Sequence, residues 1–206
     1  MDAKFHPAVQ AIVSGNIEQL KSIIREQPSL ATERSSRSHP TLLQCLVLDA
    51  KDRPNQIEMA RVLIEAGADI DAPLIAAACI DNLEAVVALL DAGAAINGDG
   101  NWSPLEEALY WNFQDVVECL VRRGASIHNL RIAAGLGRVD CMQTFFDTDG
   151  TLKPETLSIS SPFEKQREAQ RSNDPLDVIN NALIYACVSN RVEAVEFLMK
   201  KGAQVY

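Results

Sequence analysis

Ala85-Val86-Val87-Ala88-Leu89-Leu90-Asp91-Ala92-Gly93-Ala94-Ala95-Ile96-Asn97 is the stretch that decides the fold. Its first half is an apolar run with helical spacing. Its glycine stands where a helix would end in the left-handed conformation that glycine adopts most cheaply. The same design recurs along the chain. Ala60-Arg61-Val62-Leu63-Ile64 leads into Ala66-Gly67-Ala68, Val116-Val117-Glu118-Cys119-Leu120-Val121 into Arg123-Gly124-Ala125, and Ala194-Val195-Glu196-Phe197-Leu198-Met199 into Lys201-Gly202-Ala203. Helix, Gly-Ala and then Ile or Val, four times over, is an internal repeat.

Upstream of each such helix lies a shorter, Ala-rich segment: Leu74-Ile75-Ala76-Ala77-Ala78, Leu105-Glu106-Glu107-Ala108-Leu109, Ile132-Ala133-Ala134 and Leu183-Ile184-Tyr185-Ala186. Small side chains there let paired helices approach closely. Ser103 is placed to cap the second of these segments, with Pro104 in its first turn. Gly15-Asn16-Ile17-Glu18, Asp81-Asn82-Leu83-Glu84, Asn112-Phe113-Gln114-Asp115, Gly137-Arg138-Val139-Asp140 and Asn190-Arg191-Val192-Glu193 stand between the paired helices.

This unit resembles the ankyrin repeat, in which a T-P-L-H-x-A-A start, a Gly-His-Leu-Glu connection and a Gly-Ala-Asp-Val-Asn end mark two helices and a hairpin. Six units align, from about Phe5 to Tyr206. The resemblance implies an all-α, ankyrin-like helical repeat solenoid forming one domain over residues 1–206, with a long insertion at 151–174. Gly67 to Gly93 and Gly124 to Gly150 are short intervals for the family, so those repeats have no room for a full hairpin. Leu157, Ile159 and Phe163 give the insertion an apolar content compatible either with packing or with a free loop.

The resemblance also implies where partners bind: the hairpin tips and the exposed face of each first helix. Carried over repeat by repeat, those positions fall on Asp99, Gly100, Trp102, Tyr110 and Trp111 in the fourth unit, Ile80 in the third and Leu136 in the fifth. Both tryptophans of the chain fall in that cluster, and interfaces favour Trp and Tyr. The competing reading of each tryptophan is packing against a neighbour. Ile80, Trp111 and Leu136 would form an apolar stripe. Asp99, Glu106 and Glu107 would supply an acidic rim.

Composition agrees with these expectations. The 206 residues carry 28 acidic against 19 basic side chains, and none of Lys, Arg or His occurs from Val62 to Val121. A balance of that sign disfavours nucleic acid and anionic membranes as partners and fits either a solvated acidic face or a protein partner with a basic surface. The five cysteines are widely spaced and never form C-x-x-C, which predicts reduced thiols in helical cores. Neither a signal peptide nor a spanning segment is visible, so a cytoplasmic protein is expected, with export as an effector left open.

The chemistry of an enzyme is missing from the motifs. His6, His39 and His128 lie in different repeats, no zinc spacing or phosphate loop occurs, and neighbouring Glu106 and Glu107 point in different directions on a helix. Asp147-Thr148-Asp149-Gly150 lacks the later ligands of a calcium loop. The sequence therefore predicts a monomeric, non-enzymatic protein-interaction module with no cofactor and no metal. The alternative is an assembly protein that self-associates through the apolar stripe or the last repeat.

Overall fold

A computed structural model describes residues 1–36, 41–98, 102–157 and 174–204. Its described residues hold helices in pairs, and the pairs fall where the repeat places them. They are α1 (His6–Val13) with α2 (Ile17–Glu26), α3 (Leu42–Asp49) with α4 (Gln56–Glu65), α5 (Asp71–Ala78) with α6 (Leu83–Asp91), α7 (Pro104–Tyr110) with α8 (Gln114–Arg122), α9 (Leu130–Gly135) with α10 (Val139–Gln143), and α11 (Pro175–Val188) with α12 (Val192–Lys200). Apart from short 3-10 turns and a single bridge between Phe146 and Leu152, no other regular element occurs among the described residues. The all-α helical-repeat fold is thus the observed one. No helix among the described residues is long and apolar enough to cross a membrane.

Outside the second pair, where the N-cap Asn55 is itself left-handed, the turn inside each pair follows one rule. The residue before the second helix's N-cap takes a left-handed conformation at Gly15, Asp81, Asn112, Gly137 and Asn190. Gly, Asn and Asp are the residues that tolerate it. In the first and third pairs, Asn16 and Asn82 then cap α2 and α6 by accepting from the amides of Gln19 and Ala85.

The chain forms two compact units, Met1–Ile96 and Asn97–Tyr206. In the first unit, α3 packs between α1 and α5, and α4 between α2 and α6. Its interior is almost wholly aliphatic: Leu42, Leu43, Leu46, Met59, Leu63 and Leu74 are fully buried. Burial of each such side chain contributes about 1.5–3 kcal/mol. The buried polar side chains there are neutral, the hydroxyls of Ser35 and Thr41 and the amides of Gln56 and Asn82. Asn82 donates to the Val47 carbonyl and to Gln56, whose own amide donates to the Leu46 carbonyl at 3.2 Å.

In the second unit, α9 packs between α7 and α11, and α10 packs on α12. Leu130, Ala133, Ala134, Met142, Val178, Ala182, Ala186 and Leu198 join in one core with Phe146 and Leu152. Gly135 marks the closest approach of α9 to α7, because a Cβ there would stand 3.1 Å from a methyl of Leu109.

Two sequence expectations need correction, and a third lies mostly outside the described residues. Gly150 does not end a helix: α10 stops at Gln143, and Gly150 lies in a turn whose amide donates to the Asp147 carbonyl. That turn is tightened by Asp149, which accepts from the Thr151 amide and hydroxyl. Of the five cysteines, none of them in a disulfide, only Cys45 and Cys119 are buried; Cys79 and Cys141 are half-buried and Cys187 is exposed. Burial, then the neighbouring Asp49, pushes the Cys45 thiol up to about 12. Of the expected insertion, residues 158–173 lie outside the described residues, with Ile159 and Phe163 among them; Pro154–Leu157 form a 3-10 turn.

Candidate functional site

The second unit carries a cluster of polar and aromatic side chains at the start of α7, and its geometry begins with a cap. The Ser103 hydroxyl accepts from the Glu106 amide at 3.1 Å, while the Glu106 carboxylate accepts from the Ser103 amide at 3.2 Å. This reciprocal capping box satisfies two otherwise orphaned amides. Its consequence here is directional, since it turns the Glu106 carboxylate inward.

Inside, Glu106 is 0% exposed. It accepts from the Asn129 side chain at 2.6 Å and pairs with the Arg131 guanidinium at 2.9 Å. His128 Nε2 stands 3.6 Å from the other carboxylate oxygen. Burial, the largest influence, pushes the Glu106 carboxyl up, but His128, Arg131, Asn129 and the Ser103 amide together outweigh it and hold the group below its ordinary range. The same ion pair raises His128 above its ordinary value against the opposing effect of burial.

Glu107 organises the aromatic side of the cluster. It is 8% exposed, and its carboxylate accepts from the indole N–H of both tryptophans, from Trp102 in a short contact and from Trp111 at 3.0 Å. Arg131 lies over the Trp102 ring, 5.3 Å from its centroid. The Trp111 ring meets Tyr110 edge-on at 5.1 Å, and Tyr110 leans on Tyr185 of α11 at 6.1 Å. The Tyr185 hydroxyl is buried without a hydrogen-bond partner among the described residues, and burial keeps it protonated far above the ordinary tyrosine range.

The expected site residues thus separate. Trp111 and Tyr110 are exposed, at 49% and 36%. Leu136, at the end of α9, is half-buried, and so is Ile80, which follows α5 in the first unit. Trp102 is 8% exposed and serves as packing. Glu106 is a correction: the solvated rim expected of it is replaced by a buried ion pair, because the capping box and Arg131 hold its carboxylate inside. Glu107 is a correction too, for a different reason: its carboxylate is enclosed and accepts from the two indole N–H groups. Asp99 and Gly100 lie outside the described residues, as does His39.

Arg131, Asn129, His128 and Tyr185 went unrecognised as members of this cluster. Two signals for it stand in the sequence. Ser103-x-x-Glu106 is a capping-box pattern, and Arg131 interrupts the apolar run Leu130 to Ala134, which predicts a buried counter-charge. Among the described residues no three His, Cys, Asp or Glu side chains gather as a metal site.

Comparison with known proteins places this architecture. Residues 46–131, from within α3 to the start of α9, match the family model of ankyrin repeats in three copies. No curated protein matches the chain. The chain therefore carries ankyrin repeats, matched as such across residues 46–131 and flanked on both sides by helix pairs of the same plan.

Proposed function

We propose that this protein is a non-catalytic binding module that holds a protein partner against Tyr110, Trp111 and Leu136 of the second unit. Ankyrin repeats generally mediate protein–protein interaction, and the family is typically non-enzymatic. The observation that carries the reading is the state of Trp111. A tryptophan that is half exposed, yet fixed by a hydrogen bond to a buried carboxylate and by an edge contact with Tyr110, has little side-chain freedom left to lose on binding. Large, rigid, amphipathic rings of that kind dominate interface energetics. Ile80 of the first unit holds the equivalent position after α5 and would make a contact of its own. The acidic balance of the chain adds steering of a basic partner, so association should slow as salt rises.

A photo-crosslinking residue in place of Trp111 tests the site against one in place of Val13, an exposed apolar position of α1. The reading expects a protein captured from native extract at position 111 and absent at position 13. The same capture at both positions would show adhesion without a site.

A further inference from the structure

We propose that the partner presents an arginine side chain over the exposed ring of Trp111, beside Tyr110, with Glu107 behind the ring as its counter-charge. The proposal rests on the binding reading above and names the chemistry that the site would recognise.

The chain already completes one such arrangement for itself. Trp102 has an indole N–H bonded to a carboxylate, Glu107, and a guanidinium over its ring, that of Arg131. Arg131 is in turn paired with a second carboxylate, Glu106. Ring, N–H-bound carboxylate and cation form a set in which the π face attracts the cation and Glu106, not Glu107, pairs with it.

Trp111 has two members of the same set. Its indole N–H donates to the other oxygen of Glu107 at 3.0 Å, and Tyr110 walls the ring edge-on at 5.1 Å. Among the described residues no cation lies over its ring. Glu107, more than nine-tenths buried, forms no ion pair among them either; its oxygens meet the two neutral indole donors. A carboxylate removed from water with no cation beside it is an uncompensated charge, and its field extends through the low-dielectric surroundings to the nearest accessible face. That face is the Trp111 ring. The basic groups packed nearby are engaged elsewhere: Arg131 and His128 on Glu106, and Arg191 on the Gly135 carbonyl and the Gln114 amide. A planar guanidinium suits the position better than an ammonium. It can stack on the indole as Arg131 does on Trp102, and it loses less hydration.

The test uses the whole protein and three capped tripeptides, Gly-Arg-Gly, Gly-Lys-Gly and Gly-citrulline-Gly, followed by the Trp111 indole N–H resonance in a nitrogen–proton NMR titration. The Trp111→Phe variant assigns that resonance. Citrulline keeps the shape and planarity of arginine and lacks its charge. The proposal expects saturable shifts at Trp111 with arginine, weaker binding with lysine and at least tenfold weaker binding with citrulline. Glu107→Gln, which retains an oxygen for the Trp111 N–H, should bring arginine down to the citrulline level. Should that variant fold poorly, the citrulline comparison on the wild type still decides. Equal binding of arginine and citrulline overturns the proposal, and so do shifts confined to Trp102. Crosslinking at position 111 decides the binding reading separately, so a partner captured there with no preference for arginine would leave that reading standing and remove this proposal.

Discussion

The pairs α3/α4 and α7/α8 follow the same plan and solve the problem of buried polarity in opposite ways. In the first unit the interior polar groups are neutral. Asn82 and Gln56 pass hydrogen bonds between α3, α4 and the start of α6, and no charged side chain is buried among that unit's described residues. In the second unit two carboxylates, Glu106 and Glu107, are enclosed at the head of α7 with Arg131 and two tryptophans. A neutral amide relay holds helices together and presents nothing outward. The charged cluster costs desolvation, and what it secures is an exposed ring, Trp111, in a fixed orientation. The repeat supplies the same scaffold in both units, and the proposed binding site lies where one repeat departs from it.

The largest expected effect breaks the charged side of the comparison. Glu106→Ala leaves Arg131 buried without its partner and removes half of a capping box. It should destabilise the second unit by about 3–5 kcal/mol, the usual cost of stranding one member of a buried pair. Both tryptophans lie in that unit, so urea unfolding followed by tryptophan fluorescence reads it directly. A loss below about 1 kcal/mol would mean that water reaches Arg131 and that the cluster is not closed.

Next in size is the neutral counterpart. Asn82→Ala removes the α6 cap and frees Gln56, and about 1–3 kcal/mol is expected, because an unmet neutral group costs less than an unmet charge. Circular dichroism registers this change. If Asn82→Ala proved as damaging as Glu106→Ala, the contrast between the units would have no energetic meaning.

A smaller and more specific effect separates the units by pH. His128 is raised above its ordinary 6.5, so its contribution is complete below that value and is lost as pH rises through its folded value. Glu106 is lowered from its ordinary 4.5, so its contribution is present above that value and is lost as pH falls through its folded value. Stability from this pair should therefore peak between about 4.5 and 6.5 and decline on both sides. His128→Gln should flatten the decline on the alkaline side. Fluorescence-detected unfolding from below pH 4.5 to well above pH 6.5 checks it, and an unchanged alkaline slope in the variant would remove His128 from the account.

Much of this molecule was legible before any coordinates. The Gly-Ala ends after Leu63, Leu89, Leu120 and Leu198 give the second helices, and the Gly, Asn and Asp turns give the pairing, because both depend on local backbone preference. Other features depend on partners far along the chain. The local capping-box pattern Ser103-x-x-Glu106 marks the turn of Glu106, but its burial as a charge depends on Arg131, 25 residues later. Tyr185 reaches Tyr110 from α11 over the small residues of α9, a contact that periodicity does not encode. Gly150 shows the reverse failure. It has the residue type that ends a helix and sits instead in a turn of its own, since Phe146 and Leu152 bridge across it.

The central claim is that the buried carboxylates of the second unit hold Trp111 outward as a binding anchor. Its most direct test is the affinity of the partner captured at position 111, measured by titration calorimetry against the wild type and Trp111→Ala, with the melting temperature of each recorded. The account predicts a loss of at least about 2 kcal/mol in binding, as for a central interface anchor, with a stability change within about 0.5–1 kcal/mol because the ring is exposed. Undiminished affinity in a stably folded Trp111→Ala would contradict it.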